Sequence, residues 1–107
     1  MSIVQVQVII EDEELAHVLA RRLLDERLVA CAQVVGPVTS HYRWKGTVET
    51  AREWLVVMKS DGDRVEALVA ELARVHPAEN PEILVLPVVG GAPGYLAWVH
   101  AETRPLP

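Results

Sequence analysis

Between Val38 and Lys59 the chain spells out a long β-hairpin. Val38, Ser40, Tyr42 and Trp44 alternate with Thr39, His41, Arg43 and Lys45; Lys45-Gly46 is a turn signal, and Thr47 to Lys59 resumes the strand pattern, ending in Trp54-Leu55-Val56-Val57-Met58. Alternation of this kind sends successive side chains to opposite faces of two paired strands, with the tip at Gly46. A two-stranded arm so long is not stable alone in water. It must pack on something, and a partner subunit is a candidate.

The flanking segments supply a scaffold. Ile3 to Ile10 alternates apolar and polar before turning wholly apolar, the pattern of a strand that becomes buried on both faces. Glu11-Asp12-Glu13-Glu14 offers an N-cap and first-turn acids, and Leu15, Val18, Leu19 and Leu23 follow at helical spacing, predicting a helix over about residues 12–27. Leu28 to Val35 is an apolar strand interrupted by Gln33, and Gly36-Pro37 breaks or kinks it. Ser60-Asp61-Gly62-Asp63 resembles a capping box ahead of a second helix whose stripe is Val65, Leu68, Val69 and Leu72 and whose end is His76-Pro77. Glu82 to Val89 reads as a last strand, placed at a sheet edge by Pro87, whose nitrogen cannot donate to a ladder. Gly90 to Gly94 reads as a loop, and Tyr95 to His100 as a short C-terminal helix. The order β-α-β-β-α-β plus a helix predicts an α+β fold: one ferredoxin-like domain over residues 1–107, an antiparallel sheet with helices on one face.

Charge and cysteine usage narrow the function. The net charge is −5 and the basic residues are scattered among acids, so no stripe exists to displace counterions from nucleic acid. Cys31 is the only cysteine, which precludes an intramolecular disulfide; no leader-like N-terminus and no apolar run of membrane-spanning length occur, so a cytoplasmic protein with no membrane partner is expected. No Ser or Cys nucleophile has a recognisable base, and Pro93 with a missing third glycine spoils any dinucleotide fingerprint at Gly90-Gly91. The chain does not read as an enzyme.

Chemistry-bearing side chains concentrate in His76-Pro77-Ala78-Glu79-Asn80-Pro81-Glu82-Ile83. The two prolines hold this segment stiff and extended while it projects an imidazole and two carboxylates. His76, Glu79 and Glu82, together with the Cys31 thiol, are the candidate ligands for copper or another divalent cation, though their spacing matches no closed structural zinc motif. The plainer roles are a rigid loop for the segment, a helix-terminal cation for His76 and a small buried hydrophobe for Cys31. His17, His41 and His100 have no neighbouring ligands in sequence and are expected at the surface. Tyr42, Trp44, Trp54 and Trp98 are expected to anchor the core or an interface. Glu53 and Lys59, six residues apart on one strand, share a face and can hold a polar ligand in a cleft between subunits.

Four motifs carry a family resemblance over essentially the whole chain. They are Leu28-Val29-Ala30-Cys31-Ala32-Gln33; Tyr42-Arg43-Trp44-Lys45-Gly46 with Glu53 and Lys59; His76-Pro77 with Pro81-Glu82-Ile83; and Tyr95-Leu96-Ala97-Trp98. In order and spacing they resemble the CutA family of divalent-cation tolerance proteins. The resemblance implies a ferredoxin-like homotrimer associated with tolerance to copper and other divalent metals, with no obligatory cofactor. Two positions depart from the family pattern. Ala78 follows His-Pro where an aromatic residue is common, and Val8 stands where some members carry a cysteine, so a copper site using that thiolate lacks a soft ligand here. The alternative reading is a signalling module similar to the trimeric PII proteins, with ligand clefts between subunits.

Overall fold

A computed structural model describes all 107 residues. In chain order it comprises β1 (Ile3–Ile10), α1 (Glu13–Asp25), β2 (Cys31–Trp44), β3 (Thr47–Asp61), a 3-10 turn (Gly62–Arg64), α2 (Val65–Val75), β4 (Ile83–Pro87) and α3 (Pro93–Glu102). The four strands form one antiparallel sheet in the order β2-β3-β1-β4, the split arrangement expected of the ferredoxin-like plan. β4 is an edge strand, as Pro87 requires.

Parity along the strands sorts the two faces of the sheet. Val4, Val6, Val8 and Ile10 of β1, with Val56 and Met58 of β3, meet Ala16, Leu19, Ala20 and Leu23 of α1 and Leu68 and Leu72 of α2 in the main core. Val18, expected in the apolar stripe of α1, is instead 57 % exposed; Ala16 and Ala20 replace it because a small side chain lets the helix approach the sheet closely. α3 lies on the opposite face at one end, where Val99 packs on Ile3 and Ala30. Helices therefore cover one face and only one end of the other. On the uncovered remainder Val35, Leu84 and Leu86 are exposed and Ile9, Leu55 and Val57 half-buried.

Local chemistry explains the element ends. The Asp12 carboxylate accepts from Leu15 N at 3.1 Å, capping α1. At the other end Leu28 N bonds to Leu23 O and Arg27 N to Leu24 O, both at 3.0 Å, a Schellman closure that puts Arg27 at φ 58°. Lys45 (φ 49°) and Gly46 (φ 81°) make the two-residue hairpin turn foreseen at the tip. Gly36-Pro37, a cis peptide, does not end β2: a register shift between Val35 and Val38 carries the strand through as a bulge. A side chain at Gly36 would bring its Cβ within 2.9 Å of Trp54 Cγ, so the indole requires glycine there.

Three boundaries differ from expectation. β3 runs on to Asp61, so Ser60 is no cap: its buried hydroxyl donates to Leu28 O at 2.6 Å, while the Asp61 carboxylate faces Asp63 N at the 3-10 turn. The last strand is shorter than Glu82–Val89: its ladder with β1 runs only from Ile83 opposite Val8 to Pro87 opposite Val4. α3 begins at Pro93 rather than after Gly94, since the first helical turn asks for no amide donor from its proline.

Candidate functional site

The crossover from α2 to β4 is tied to the sheet through its histidine. His76 Nε2 lies 2.6 Å from Ile9 O and donates to it, while Nδ1 accepts from Ala78 N at 3.0 Å. Both ring nitrogens are thereby committed to backbone groups, and one tautomer satisfies both. His76 is thus a bracket that pins the loop to the end of β1, with neither ring nitrogen left over for the metal ion it was a candidate to hold.

Pinned there, residues 76–82 wall a cavity of about 700 Å³ against the root of the hairpin. Ser40, Tyr42 and Trp44 of β2 and Glu53 of β3 line its far side, and Glu11 closes one end. Their common orientation follows from the ladder: Val38 pairs with Glu53, Ser40 with Ala51, Tyr42 with Glu49 and Trp44 with Thr47, so all project from one face. The cavity contains Glu11, Glu53, Glu79 and Glu82 and no lysine or arginine. Its field is negative. Partial burial, and behind it the charges of Glu11, Glu53 and Glu49, push the Tyr42 phenol above its ordinary range. At the rim, Lys45 Nζ reaches across from the hairpin tip to Glu79 Oε2 at 3.6 Å and stands 5.6 Å from the Trp44 ring centroid.

The residues singled out in the sequence divide into two places. His76, Glu79, Glu82, Tyr42, Trp44 and Glu53 share the cavity. Cys31 and Lys59 are paired across strands at the other end of the sheet, with Gln5 opposite Lys59. Ile9, where His76 attaches, is four residues further along β1, roughly 13 Å away. Cys31 Sγ sits 3.4 Å from the Tyr95 hydroxyl, and that hydrogen bond, followed by burial, pushes Tyr95 up to about 12. Trp98 packs on Tyr95 on α3, ring centroids 5.7 Å apart. Within one chain, therefore, Cys31 and His76 do not converge, and no three His, Cys, Asp or Glu side chains are arranged to hold a metal ion. Glu53, expected to share a cleft with Lys59, is only 8 % exposed and lines the cavity without it.

His100 also departs from expectation. Rather than standing free, it donates from Nδ1 to Asp61 Oδ2 at 2.6 Å, and Arg104 grips Asp63 through both terminal nitrogens. This cluster docks α3 onto the end of β3. Neither the cluster nor Glu11 of the cavity was among the expected site residues. Glu11 precedes α1 and reads in sequence as a dipole-favoured acid, and only the fold brings it to the hairpin.

Known proteins resemble this chain over nearly its whole length. The family model for "CutA1 divalent ion tolerance protein" matches residues 4–102. This chain belongs to the CutA1 family. The divalent-cation tolerance protein CutA of Pectobacterium atrosepticum is 41 % identical over 93 residues, covering 87 % of this chain and 84 % of the relative. Protein CutA of mouse is 40 % identical over the same length, but the chain spans only about half (52 %) of that relative. Among solved structures, the divalent cation tolerance protein of Thermus thermophilus superposes with a TM-score of 0.92 at 34 % identity, over 95 % of this chain and 99 % of the other. CutA1 of Oryza sativa gives 0.93 at 32 % identity, over 97 % and 95 %. The CutA1 fold is thus present with its sheet, hairpin and three helices, and the crossover cavity lies inside the matched region.

Proposed function

We propose that this CutA1-family chain works as a cytoplasmic homotrimer in the response to divalent cations, binding them weakly through the acidic crossover. Family membership over residues 4–102 carries the reading. Assembly is supported by the uncovered sheet face, where Val35, Leu84 and Leu86 are 48 %, 52 % and 38 % exposed, and by the hairpin, whose edge strand β2 has no partner within the chain on its outer side. Rotational closure lets each arm extend a neighbour's sheet and buries both at once.

For the cation, Glu79 and Glu82 are the groups that face solvent beside the cavity, and hard carboxylates with water completing the shell give loose, exchangeable binding. Cu(II) is favoured over Zn(II) by the ordinary affinity order of divalent metals. Calorimetric titration of the assembled protein tests this. Replacing Glu79 and Glu82 together by glutamine is expected to weaken Cu(II) binding at least tenfold, whereas Cys31→Ser leaves it unchanged. Equal affinity in the double variant and the parent would refute the assignment. The signalling-module alternative finds no support, since a cavity with four carboxylates and no lysine or arginine repels a nucleotide. No ATP or ADP binding tighter than about 100 μM is expected, an affinity worth only about 5–6 kcal/mol.

A further inference from the structure

Glu53 poses a problem that divalent-cation tolerance does not address. Its side chain lines the cavity and the residue is 8 % exposed; no hydrogen bond or ion pair within the chain reaches its carboxylate, whose oxygens open into the cavity. A carboxylate that opens only into a cavity and has no partner in the chain is a ready counter-charge for a cation that enters it. The groups around it do not supply that partner. His76 has both nitrogens on backbone atoms, the His41 Nδ1 is taken by Thr50 Oγ1 at 3.0 Å, and the remaining titratable lining groups are Glu11, Glu79, Glu82 and the Tyr42 phenol.

The rim of the same cavity displays the chemistry that would satisfy it. There a single ammonium, that of Lys45, is held between a carboxylate, Glu79, and an aromatic face, Trp44. Deeper in, Glu53 and Tyr42 offer a carboxylate and an aromatic ring on one sheet face, with the Ser40 hydroxyl beside them. Tight binding of a bare metal ion beside Glu53 would need three or more side-chain ligands converging on one point, and no group of three exists there. An ammonium or guanidinium needs one carboxylate and a ring face. The volume, about 700 Å³, is in the range that takes small organic molecules rather than single ions.

We propose that the crossover cavity is a binding site for a small organic cation, an amine or guanidinium compound, whose charge is paired by Glu53 and whose carbon skeleton lies against Tyr42 and Trp44. Affinity arises because the cation pairs with a carboxylate that has no partner in the chain, so a neutral molecule of the same shape gains little. Glu79 and Glu82 at the mouth attract the cation electrostatically, and Glu53 holds it. This proposal is independent of weak metal binding at the mouth.

The test uses the assembled protein and three probes: agmatine, choline, and 3,3-dimethylbutanol as choline's neutral isostere. Calorimetry and tryptophan emission are expected to show saturable submillimolar binding of at least one cation and none of the alcohol. Glu53→Gln should weaken that binding at least tenfold with the assembly mass unchanged and the ligand-free protein at least as stable as the parent. Tyr42→Leu, which leaves the carboxylate intact, should weaken it several-fold and serves as the second variant should Glu53→Gln fail to fold. Absence of saturable binding by either cation below 10 mM would overturn the proposal, as would equal binding by Glu53→Gln or comparable binding of the alcohol. Failure of the metal reading registers separately, in the double variant of Glu79 and Glu82.

Discussion

His76 illustrates how one side chain can look like a ligand and act as a fastener. Its two hydrogen bonds join the crossover to Ile9 O and to its own Ala78 N. Replacing it by alanine leaves a carbonyl and an amide without those partners, at a cost of about 1–3 kcal/mol. The urea midpoint of His76→Ala should fall accordingly at an unchanged slope, and the Ala78 amide should exchange faster. An unaltered midpoint would mean that water replaces the bracket without loss. Arg27 shows two effects in opposition. Glycine would relieve the positive φ by about 1 kcal/mol, but the Arg27 side chain also donates to Arg104 O at 2.8 Å and Ala101 O at 3.1 Å, capping the end of α3. Hydrogen bonds from a charged donor contribute about 1.5–3 kcal/mol each. Arg27→Gly is therefore expected to destabilise on balance, and a stabilised variant in thermal unfolding would show that the clamp is weaker than the strain.

At the scale of elements, the docking of α3 depends on charge and so on pH. Burial pushes the Asp61 carboxyl up, but hydrogen bonds from His100, Asp63 N and Ser2 N outweigh it, and the result lies below the usual carboxylate range. The Asp63 carboxyl is lowered by its hydrogen bonds from Arg104. Groups depressed in the folded state contribute stability that is complete above the unfolded carboxylate value of about 3.9 and is lost as pH falls through the lower folded value. The Asp61 contribution is the larger, because its side chain is 4 % exposed while that of Asp63 is 54 % exposed and screened by solvent. Below about pH 4, the end of the sheet under α3 should loosen first, with Val99 and Thr103 amides losing protection before those of β1. Asp61→Asn should remove most of this acid sensitivity. If protection in α3 and β1 were lost together at every pH, the cluster would have no separate role.

For the whole molecule, the uncovered sheet face is the surface on which the proposed assembly is tested. Leu84 pairs with Gln7 on that face and makes little contribution to the main core, so Leu84→Lys should leave the chain folded. If the face is an interface core, the charge should cost roughly 2–4 kcal/mol of association. Light scattering at micromolar concentration is expected to give three times the 11.8 kDa chain mass for the parent and a lower mass for the variant. A parent at the monomer mass would remove the trimer from the account.

Much of this architecture was legible in the residues themselves. Alternation, helical spacing and the Lys45-Gly46 signal are local properties, and they specified the strand and helix order, the hairpin tip and the edge position of β4 before any packing was known. The four motifs identified the family for the same reason, since they are short and contiguous. What the residues could not express were the distances between segments far apart in sequence. His76 and Cys31 both carry ligand chemistry, but register along β1 and β3 sends them to opposite ends of the sheet. Glu11 looks like an ordinary helix-start acid and Glu53 like a cleft partner of Lys59, yet the path of the crossover brings Glu11 and Glu53 into one cavity and leaves Lys59 out. Residue type sets what a side chain can do; only tertiary packing, through burial and the partners already taken, decides which of those capacities is left free.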